Sequence, residues 1–250
     1  MGGHSHWSTI KRHKAGMDAK RGILFGKLIR EITVAARGGA DVDANPSLRL
    51  AVAKAKEANM PADTIKRAIQ RGTGELPGVA YEEFKLEGYG PGGTGILIEI
   101  LTDNRNRTVS EIRNMLGKNH GTMADAGSVA WQFQKKGLLV TEAQAVDEDH
   151  LLGIALEAGA EDVKQAGKCF EVTTDVAAFE AVKAAMQQAG IETSVAEITY
   201  LPQGQIRLEK KPAEHMLKLM EILDSHDDVQ KVHANFDIPD DVMEEVAASG

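Results

Sequence analysis

The sequence predicts an α+β protein of three domains, a helical N-terminal domain followed by two α+β domains of ferredoxin-like strand order, one inserted in the other. Through residues 18–72, apolar side chains recur every three or four positions, as on one face of a helix. Beyond residue 79, alternating apolar runs are separated by helical stretches, which is typical of β-α-β units. A length of 250 residues is sufficient for three small domains.

The first predicted element is a basic arm over residues 1–17, which lack apolar periodicity. A helix over 18–37 follows, and a glycine pair ends it. Asn45, a capping residue placed before a proline, opens a second helix that reaches Asn59. The third helix runs from Pro61 to Gly72. We therefore assign the basic arm and a three-helix domain to residues 1–78.

The inserted domain is predicted at residues 136–203. Its segments follow the order strand, helix, strand, strand, helix, strand, at 138–141, 148–158, 161–166, 168–173, 175–189 and 192–200. This is the ferredoxin-like order.

The segments on either side of the insertion predict a second unit of the same type. They are a strand at 96–101, a helix at 107–116 and a strand at 128–134, then a strand at 205–209, a helix at 212–224 and a strand at 229–236. A further strand is predicted at 81–87, before the glycine-rich loop. Domain insertion is easy where chain entry and exit lie close together. We therefore predict a discontinuous domain made of residues 79–135 with 204–240.

Composition excludes several classes of protein. Apolar runs are far shorter than the ~20 residues of a membrane helix; the longest, Ile96–Leu101, contains Glu99. The N-terminus lacks the pattern of a secretory signal. Cys169 is the only cysteine, which rules out an intramolecular disulfide and a multi-cysteine metal site. We expect a soluble, cytoplasmic protein with no membrane partner.

The net charge of −8 is unevenly distributed. Residues 1–75 hold 14 Lys and Arg against 7 Asp and Glu, whereas residues 76–250 carry a net charge of −15. Such asymmetry favours contact between the N-terminal segment and a polyanion. The alternative is a solvated basic surface that the acidic remainder balances.

No motif in the sequence supplies an acid, a base and a nucleophile. The glycine-rich loop 88–95 joins two strands, whereas a phosphate cradle needs a helix N-terminus behind it. It is interpreted as a flexible hairpin or a docking surface. Cys169 is expected to be a packing or surface residue, and the acidic cluster Asp224–Asp228 an ordinary turn. We predict a non-enzymatic protein with no catalytic residues, no metal and no cofactor.

The basic residues of the N-terminal segment are the candidate nucleic-acid contacts. Lys20, Lys27, Arg30 and Arg37 fall within about a 100° arc of the first helix, and residues 1–37 hold eight bases against two acids. A dense patch of one sign is expected of a surface that binds phosphate backbones. The full candidate set is Lys11, Arg12, Lys14, Lys20, Arg21, Lys27, Arg30, Arg37, Lys66, Arg67 and Arg71.

A second, auxiliary anion-binding turn is predicted at Arg105 and Arg107, where a helix begins and its dipole favours anions. The alternative is a simple capped connection between strand and helix. Gln70 with Arg67 and Arg71 is a weak candidate for reading base edges. The inserted domain lacks the paired strand aromatics with which RNA-recognition sheets stack bases.

Several of these segments resemble the YebC/PmpR family, in the right order along nearly the whole chain. They are Gly3-His-Ser-His-Trp7, Ile10-Lys-Arg-His-Lys14, Asp18-Ala-Lys-Arg21, Lys27-Leu-Ile-Arg-Glu-Ile32, Ala35-Ala-Arg37, Asn59-Met-Pro61, Arg71-Gly-Thr-Gly74, Glu87-Gly-Tyr-Gly-Pro-Gly-Gly93, Thr102-Asp-Asn-Arg-Asn-Arg-Thr108 and Gly127-Ser-Val-Ala-Trp131. The sequence departs from the family at His6, where lysine is typical, and at Gly22 and Gly26, where bulkier polar residues are common.

The resemblance implies three domains around an acidic cavity, a cytoplasmic location and no enzymatic activity. Bacterial members are described as DNA-binding transcriptional regulators. Mitochondrial relatives resemble translational activators, and some bacterial members are implicated in ribosome function.

The sequence therefore predicts a DNA-binding transcriptional regulator whose basic N-terminal domain contacts the phosphate backbone. A translation factor that binds RNA or the ribosome, including ribosomal RNA, is the first alternative. The second is an interaction scaffold whose acidic α+β domains bind a protein partner while the basic arm is merely solvated.

Overall fold

A computed structural model describes residues 17–239 and 242, with side-chain surroundings from residue 21 onward. It confirms the predicted fold class, a helical domain followed by two α+β domains built on antiparallel sheets. Its helices are α1 (Met17–Ala35), α2 (Pro46–Glu57), α3 (Ala62–Gly72), α4 (Arg105–Lys118), α5 (Glu148–Glu157), α6 (Phe179–Gln188) and α7 (Lys210–Asp224). Its strands are β1 (Glu82–Tyr89), β2 (Gly95–Thr102), β3 (Thr122–Ala124), β4 (Phe133–Glu142), β5 (Ala160–Ala166), β6 (Cys169–Thr174), β7 (Val195–Pro202), β8 (Ile206–Arg207), β9 (Val229–Ala234) and β10 (Phe236–Asp237). Short 3-10 turns occupy Ala36–Gly38, Pro91–Gly93 and Ala130–Gln132.

Asn45 begins α2 as the sequence predicts. Its side-chain oxygen accepts a hydrogen bond from the Leu48 N–H at 3.1 Å, which caps the helix. Its amide nitrogen donates to the carbonyl oxygen of Ala35 at 2.8 Å. One side chain thus starts the second helix and closes the end of the first, because the free carbonyls there need donors.

The helical domain is held by an apolar cluster in which Ile32 and Leu48 are completely buried. Helices α1 and α3 cross closely at Gly72. A Cβ at Gly72 would lie 2.3 Å from the carbonyl oxygen of Thr33, so only glycine fits this crossing. Beside it, the Thr33 hydroxyl donates to the carbonyl oxygen of Ile29 at 2.7 Å and lies 3.3 Å from that of Ala68 in α3.

The second sheet has the strand order β5-β6-β4-β7, all neighbours antiparallel. This is the ferredoxin-like arrangement, and its strands and helices all come from residues 133–202. Leu139, Val172 and Phe170 face α5 and α6 in one apolar cluster.

The first sheet has the order β3-β1-β2-β9 and draws its strands from both sides of that unit. Ile96, Ile98 and Ile100 are completely buried in a cluster with residues of α4 and α7, among them Ile112 and Met216. The opposite face of this sheet meets β7 of the second sheet, where Lys231 Nζ lies 2.8 Å from a Glu197 carboxylate oxygen.

Two strand predictions for the discontinuous domain are wrong. Of the predicted strand 128–134, only the last two residues are in a strand; Ala130–Gln132 is a 3-10 turn, and β4 begins at Phe133. The physical reason is Glu87, whose buried carboxylate accepts hydrogen bonds from three backbone N–H groups of residues 127–130 and folds this segment into a turn.

The predicted strand 205–209 shrinks to the two residues of β8, which pair only with β10. The place it would take beside β2 is occupied by β1. The pairing of β1 with β2 is local, because a tight turn at 90–94 joins the two strands, and a short loop costs little entropy to close.

Within the part of the chain that the structure describes, no helix is both long enough and apolar enough to cross a membrane.

Candidate nucleic-acid interface and the junction between domains

Helix α3 presents the clearest basic surface of the described chain. Lys66, Arg67, Gln70 and Arg71 span about 140° at 100° per residue, on the side away from Ile65 and Ala68. The three cations are exposed and have no ion-pair partner among the side chains of residues 21–239. Asp63 lies in the first turn of the same side. Gln70 is less free, because its amide nitrogen lies 3.4 Å from a Glu75 carboxylate oxygen.

Arg21 is also exposed, and its guanidinium lies 5.7 Å from the ring centroid of Phe25. With Lys66, Arg67 and Arg71 it forms what we call the exposed cation set. The remaining predicted contacts Lys11, Arg12 and Lys14 lie outside the described residues, as does the side chain of Lys20.

Lys27 and Arg30 do not belong to this set, because they point into a contact between α1 and the loop after α7. Lys27 is 9% exposed, and its Nζ donates to the carbonyl oxygen of Asp224 at 2.6 Å. Arg30 Nη1 donates to the carbonyl oxygen of Asp227 at 2.5 Å, and its Nη2 lies 3.7 Å from an Asp228 carboxylate oxygen. Lys27 and Arg30 therefore link the helical domain to the discontinuous domain.

Arg37 makes a further link between domains. Its Nη1 donates to the carbonyl oxygen of Tyr81 at 3.0 Å, just before β1 begins. Three of the four bases that the sequence places on one arc of the first helix therefore contact the discontinuous domain.

Asp228 is the centre of this junction. It is 3% exposed, and one carboxylate oxygen accepts hydrogen bonds from Thr102 at 3.0 Å, Arg107 at 2.8 Å and Thr108 at 2.7 Å. Burial alone would raise the pKa of this carboxyl, but these three hydrogen bonds outweigh it and lower the pKa. We call Lys27, Arg30, Arg107, Asp224, Asp227 and Asp228 the junction.

Arg105 and Arg107, predicted as an auxiliary anion site, are both engaged with carboxylates. Arg107 lies 2.8 Å from Asp103 as well as from Asp228. Arg105 pairs with Glu82, and its guanidinium lies 4.0 Å from the ring centroid of Phe84. The N-terminus of α4 is capped by Asn104, which accepts from the Arg107 N–H at 3.1 Å. The geometry fits the alternative, a capped connection.

A cleft of about 540 Å³ lies at the junction, between the helical and discontinuous domains. Its walls carry four acidic side chains and two arginines, namely Asp103, Glu111, Asp227, Asp228, Arg30 and Arg107. The family resemblance implies an acidic cavity between three domains, whereas this cleft is lined by the helical and discontinuous domains, and its two arginines offset part of the acidic charge.

Glu111, His226 and Asp228 bring potential metal ligands within 4.8 Å of one another. The hydrogen bonds of His226 do not suit a metal. Its Nδ1 accepts from the Asp228 N–H at 3.1 Å, which places the ring proton on Nε2, 2.9 Å from Glu111. In that tautomer neither ring nitrogen has a free lone pair to offer an ion.

A buried histidine–glutamate pair lies between the two α+β domains. His233 is 1% exposed, and its Nε2 lies 2.5 Å from a Glu99 carboxylate oxygen. Burial would raise the pKa of Glu99, but the His233 hydrogen bond and nearby cations lower it. Because the ring has almost no exposed surface, the pair suits domain contact better than chemistry on a substrate.

Cys169 and the glycine-rich loop 88–95 have structural roles. Burial, together with the carboxylates of Glu142 and Glu171, raises the pKa of the Cys169 thiol, which is the wrong direction for a nucleophile. The glycine-rich loop packs on its own domain: Pro91 is buried, and a Cβ at Gly92 would lie 2.4 Å from a Leu208 methyl carbon.

Sequence reasoning missed one surface feature, the aromatic pair Trp131 and Tyr89. Trp131 is 69% exposed, more than any other large hydrophobic side chain in the described part of the chain. A tryptophan flanked by small and polar residues, within Gly127-Ser-Val-Ala-Trp131, was the available signal.

Comparison with known proteins gives consistent matches over the whole length. Residues 5–75 match the family description "TACO1/YebC protein N-terminal domain", and residues 81–236 match "TACO1/YebC second and third domain". A protein of Desulforapulum autotrophicum named "probable transcriptional regulatory protein" is 56% identical over 245 residues, covering 98% of this chain and 99% of its own. A protein of Koribacter versatilis with the same description is 55% identical over 247 residues, covering 99% and 100%.

Among solved structures, the crystal structure of a conserved hypothetical protein from Aquifex aeolicus is similar to this chain. The TM-score is 0.78 at 43% identity, over 89% of this chain and 93% of that one. Both domain descriptions and the relatives' names agree with the resemblance seen in the sequence. The chain belongs to the TACO1/YebC family, and the two bacterial relatives described above are named as probable transcriptional regulatory proteins.

Proposed function

We propose that this protein is a non-enzymatic, DNA-binding transcriptional regulator of the cytoplasm, which contacts the phosphate backbone through the exposed cation set and the basic arm. The observation that carries the proposal is the surface of α3, where Lys66, Arg67 and Arg71 are exposed and have no ion-pair partner within the described residues. When unpaired cations of a protein neutralise phosphates, the counterions condensed on the nucleic acid are released, and this release drives binding.

The contacts between domains support a division of the basic residues into those that join domains and those that are left for a ligand. Lys27, Arg30 and Arg37 are engaged with carbonyl and carboxylate oxygens of the discontinuous domain. Their contribution is to hold the helical domain in place, which leaves the exposed cations of α3 for the ligand, together with the basic residues of the arm. We therefore narrow the proposed phosphate contacts to Lys11, Arg12, Lys14, Lys20, Arg21, Lys66, Arg67 and Arg71.

A second candidate function is an RNA- or ribosome-associated translation factor. The observation that favours it is the position of Gln70, whose amide lies beside Glu75 rather than free to read a base edge. A helix that offers mainly charges can bind RNA as well as DNA, because both present phosphates.

The experiment compares the wild type with a triple variant, Lys66→Glu, Arg67→Glu and Arg71→Glu, for binding to duplex DNA. A control triple variant, Lys168→Glu, Lys211→Glu and Lys218→Glu, makes the same change in net charge at exposed positions elsewhere. We expect the α3 variant to lose affinity at least tenfold and the control to change little. Equal loss in both variants would contradict a localised interface.

Crosslinking in cells, followed by sequencing of recovered DNA and RNA, separates the two candidates. Enrichment of promoter DNA supports the regulator, and enrichment of ribosomal RNA supports the translation factor. Recovery of neither would favour a scaffold that binds a protein at the acidic α+β domains.

A further inference from the structure

Two aromatic side chains converge on one carbonyl group at the surface of the discontinuous domain. The Trp131 indole N–H donates to the carbonyl oxygen of Ser128 at 3.0 Å, and the Tyr89 hydroxyl donates to the same oxygen at 3.3 Å. Trp131 is 69% exposed and Tyr89 is 37% exposed. The indole nitrogen of Trp131 and the hydroxyl of Tyr89 thus both have a hydrogen-bond partner within the protein, so the two side chains offer mainly their aromatic rings to a ligand.

The segment that bears Trp131 is firmly held. The Glu87 carboxylate accepts hydrogen bonds from the N–H groups of Gly127 at 2.7 Å, Val129 at 2.6 Å and Ala130 at 2.8 Å. Val129 is completely buried against Leu97 and Phe133. A ring presented on such a segment loses little conformational freedom when a ligand covers it.

The surroundings of the rings favour a flat ligand. Near Trp131 in the chain, the residues that are not buried are small or polar, including Gly127, Ser128, Ala130 and Gln132, whereas the apolar Val129 and Phe133 are buried. A tryptophan that anchors a protein interface usually lies within a larger apolar patch. Isolated aromatic rings with exposed faces are instead what single-stranded nucleic acids use, because every base has a face that stacks.

The position of the pair complements the proposed phosphate contacts. The helical domain contacts β1 at its start, through Arg37 and Tyr81, whereas Tyr89 is the last residue of the same strand. At about 3.3 Å per residue, β1 spans roughly 23 Å between these two ends. A nucleic-acid strand that contacts both the helical domain and the aromatic pair would run along the length of β1.

We propose that Trp131 and Tyr89 form a stacking platform for an unpaired base of single-stranded nucleic acid. The platform rests on the proposed function, that the chain binds nucleic acid, and adds to it a contact that duplexes cannot use. Single-stranded DNA and RNA share this chemistry, because the stacked group is the base.

The test uses tryptophan fluorescence of the full chain, which has only two tryptophans. In a Trp7→Phe background the signal comes from Trp131 alone. We expect single-stranded oligonucleotides of about 20 residues to quench it, in RNA and DNA arms run in parallel, and a blunt duplex of the same length to leave it unchanged.

Affinity gives the second readout. Trp131→Ala is expected to weaken single-strand binding about 5- to 100-fold, and Trp131→Phe to retain most of it, with duplex affinity unchanged in both. Leu156→Ala, at another exposed apolar side chain, is the matched control and should have no effect.

The outcomes separate this inference from the proposed function. If Trp131→Ala binds single strands as tightly as the wild type while the α3 variant loses duplex binding, the platform is refuted and the proposed function stands. Equal quenching by duplex also refutes the platform. If the wild type binds no nucleic acid, the proposed function and the stacking platform are both refuted.

Discussion

Lys27, in the first helix, donates a 2.6 Å hydrogen bond to the carbonyl oxygen of Asp224, which lies 197 residues further along the chain. Arg30, one turn later, reaches Asp227 and Asp228 in the same loop. The candidate nucleic-acid contacts of the helical domain are therefore divided between two tasks. Those turned inward join domains, and those on α3 face solvent.

This division predicts opposite effects for two similar substitutions. Lys27→Gln removes a largely buried charged hydrogen bond, so it should lower the free energy of unfolding by about 1–3 kcal/mol and leave affinity for duplex DNA nearly unchanged. Lys66→Gln, at an exposed site, should weaken DNA binding and leave stability within about 0.5 kcal/mol. Urea unfolding and a binding titration on both variants measure this. A loss of DNA affinity in Lys27→Gln equal to that in Lys66→Gln would show that the division is wrong.

A second prediction concerns the Glu87 carboxylate and pH. Burial acts to raise its pKa, but the hydrogen bonds from Gly127, Val129 and Ala130 prevail and lower it. A lowered pKa in the folded protein contributes stability that is present above the unfolded value of about 4.3 and is lost as pH falls through the folded value.

Glu87→Gln should therefore cost about 1–3 kcal/mol at pH 7, because an amide NH2 cannot accept hydrogen bonds from backbone N–H groups. The difference from wild type should shrink below about pH 4, where Glu87 itself becomes protonated. Unfolding free energies of both proteins between pH 3 and pH 7 provide the test. A difference independent of pH would mean that the charge of Glu87 does not hold the turn.

The close crossing of α1 and α3 gives a prediction on stability alone. Gly72→Ala would place a methyl group 2.3 Å from the Thr33 carbonyl oxygen and 2.7 Å from Ala36 Cβ. We expect a loss of about 1–3 kcal/mol, because the two helices must separate. The matched control is Gly22→Ala, in α1 with no atom within 4 Å, which should be neutral or stabilising by up to about 1 kcal/mol. Thermal unfolding of both variants tests this prediction. Equal melting temperatures would contradict a close contact between α1 and α3 at Gly72.

The domain organisation predicts how fragments behave. Residues 133–203 contain every strand of the second sheet and both helices that cover it, so they should fold alone. Residues 79–132 lack β9 and α7, which supply much of their core, and should not. Amide chemical-shift dispersion in NMR spectra of the two fragments distinguishes the cases. A disordered 133–203 fragment would overturn the assignment of an independent inserted domain.

Local signals in the sequence predicted most elements. The cap at Asn45, the two strands within residues 160–174 and the helix over 105–118 all appear close to their predicted bounds. Strand β4 instead begins at Phe133, ahead of the predicted bounds 138–141. The failures have a common cause, since each depends on a partner distant in sequence. Residues 127–132 form a turn because Glu87, some forty residues earlier, accepts hydrogen bonds from three N–H groups of residues 127–130. The segment 205–209 lies outside the main sheet because β1 already occupies that position.

The candidate site was less predictable than the fold. A helical wheel shows that Lys27 and Arg30 share a side of α1, but it cannot show that another domain covers that side. Exposure of the α3 cations likewise depends on how the helices pack. Trp131 was overlooked because a single tryptophan in a loop usually packs inward, and only the structure shows its ring to be exposed.

The most direct test of the central claim is the salt dependence of duplex DNA binding by the wild type and by the variant with Lys66→Glu, Arg67→Glu and Arg71→Glu. Each phosphate contact contributes a slope of about −0.9 to the plot of log affinity against log salt concentration. If the α3 cations supply three contacts, the variant slope should be shallower by about 2.7. An unchanged slope in a folded variant would show that α3 does not contact phosphates and would contradict the account.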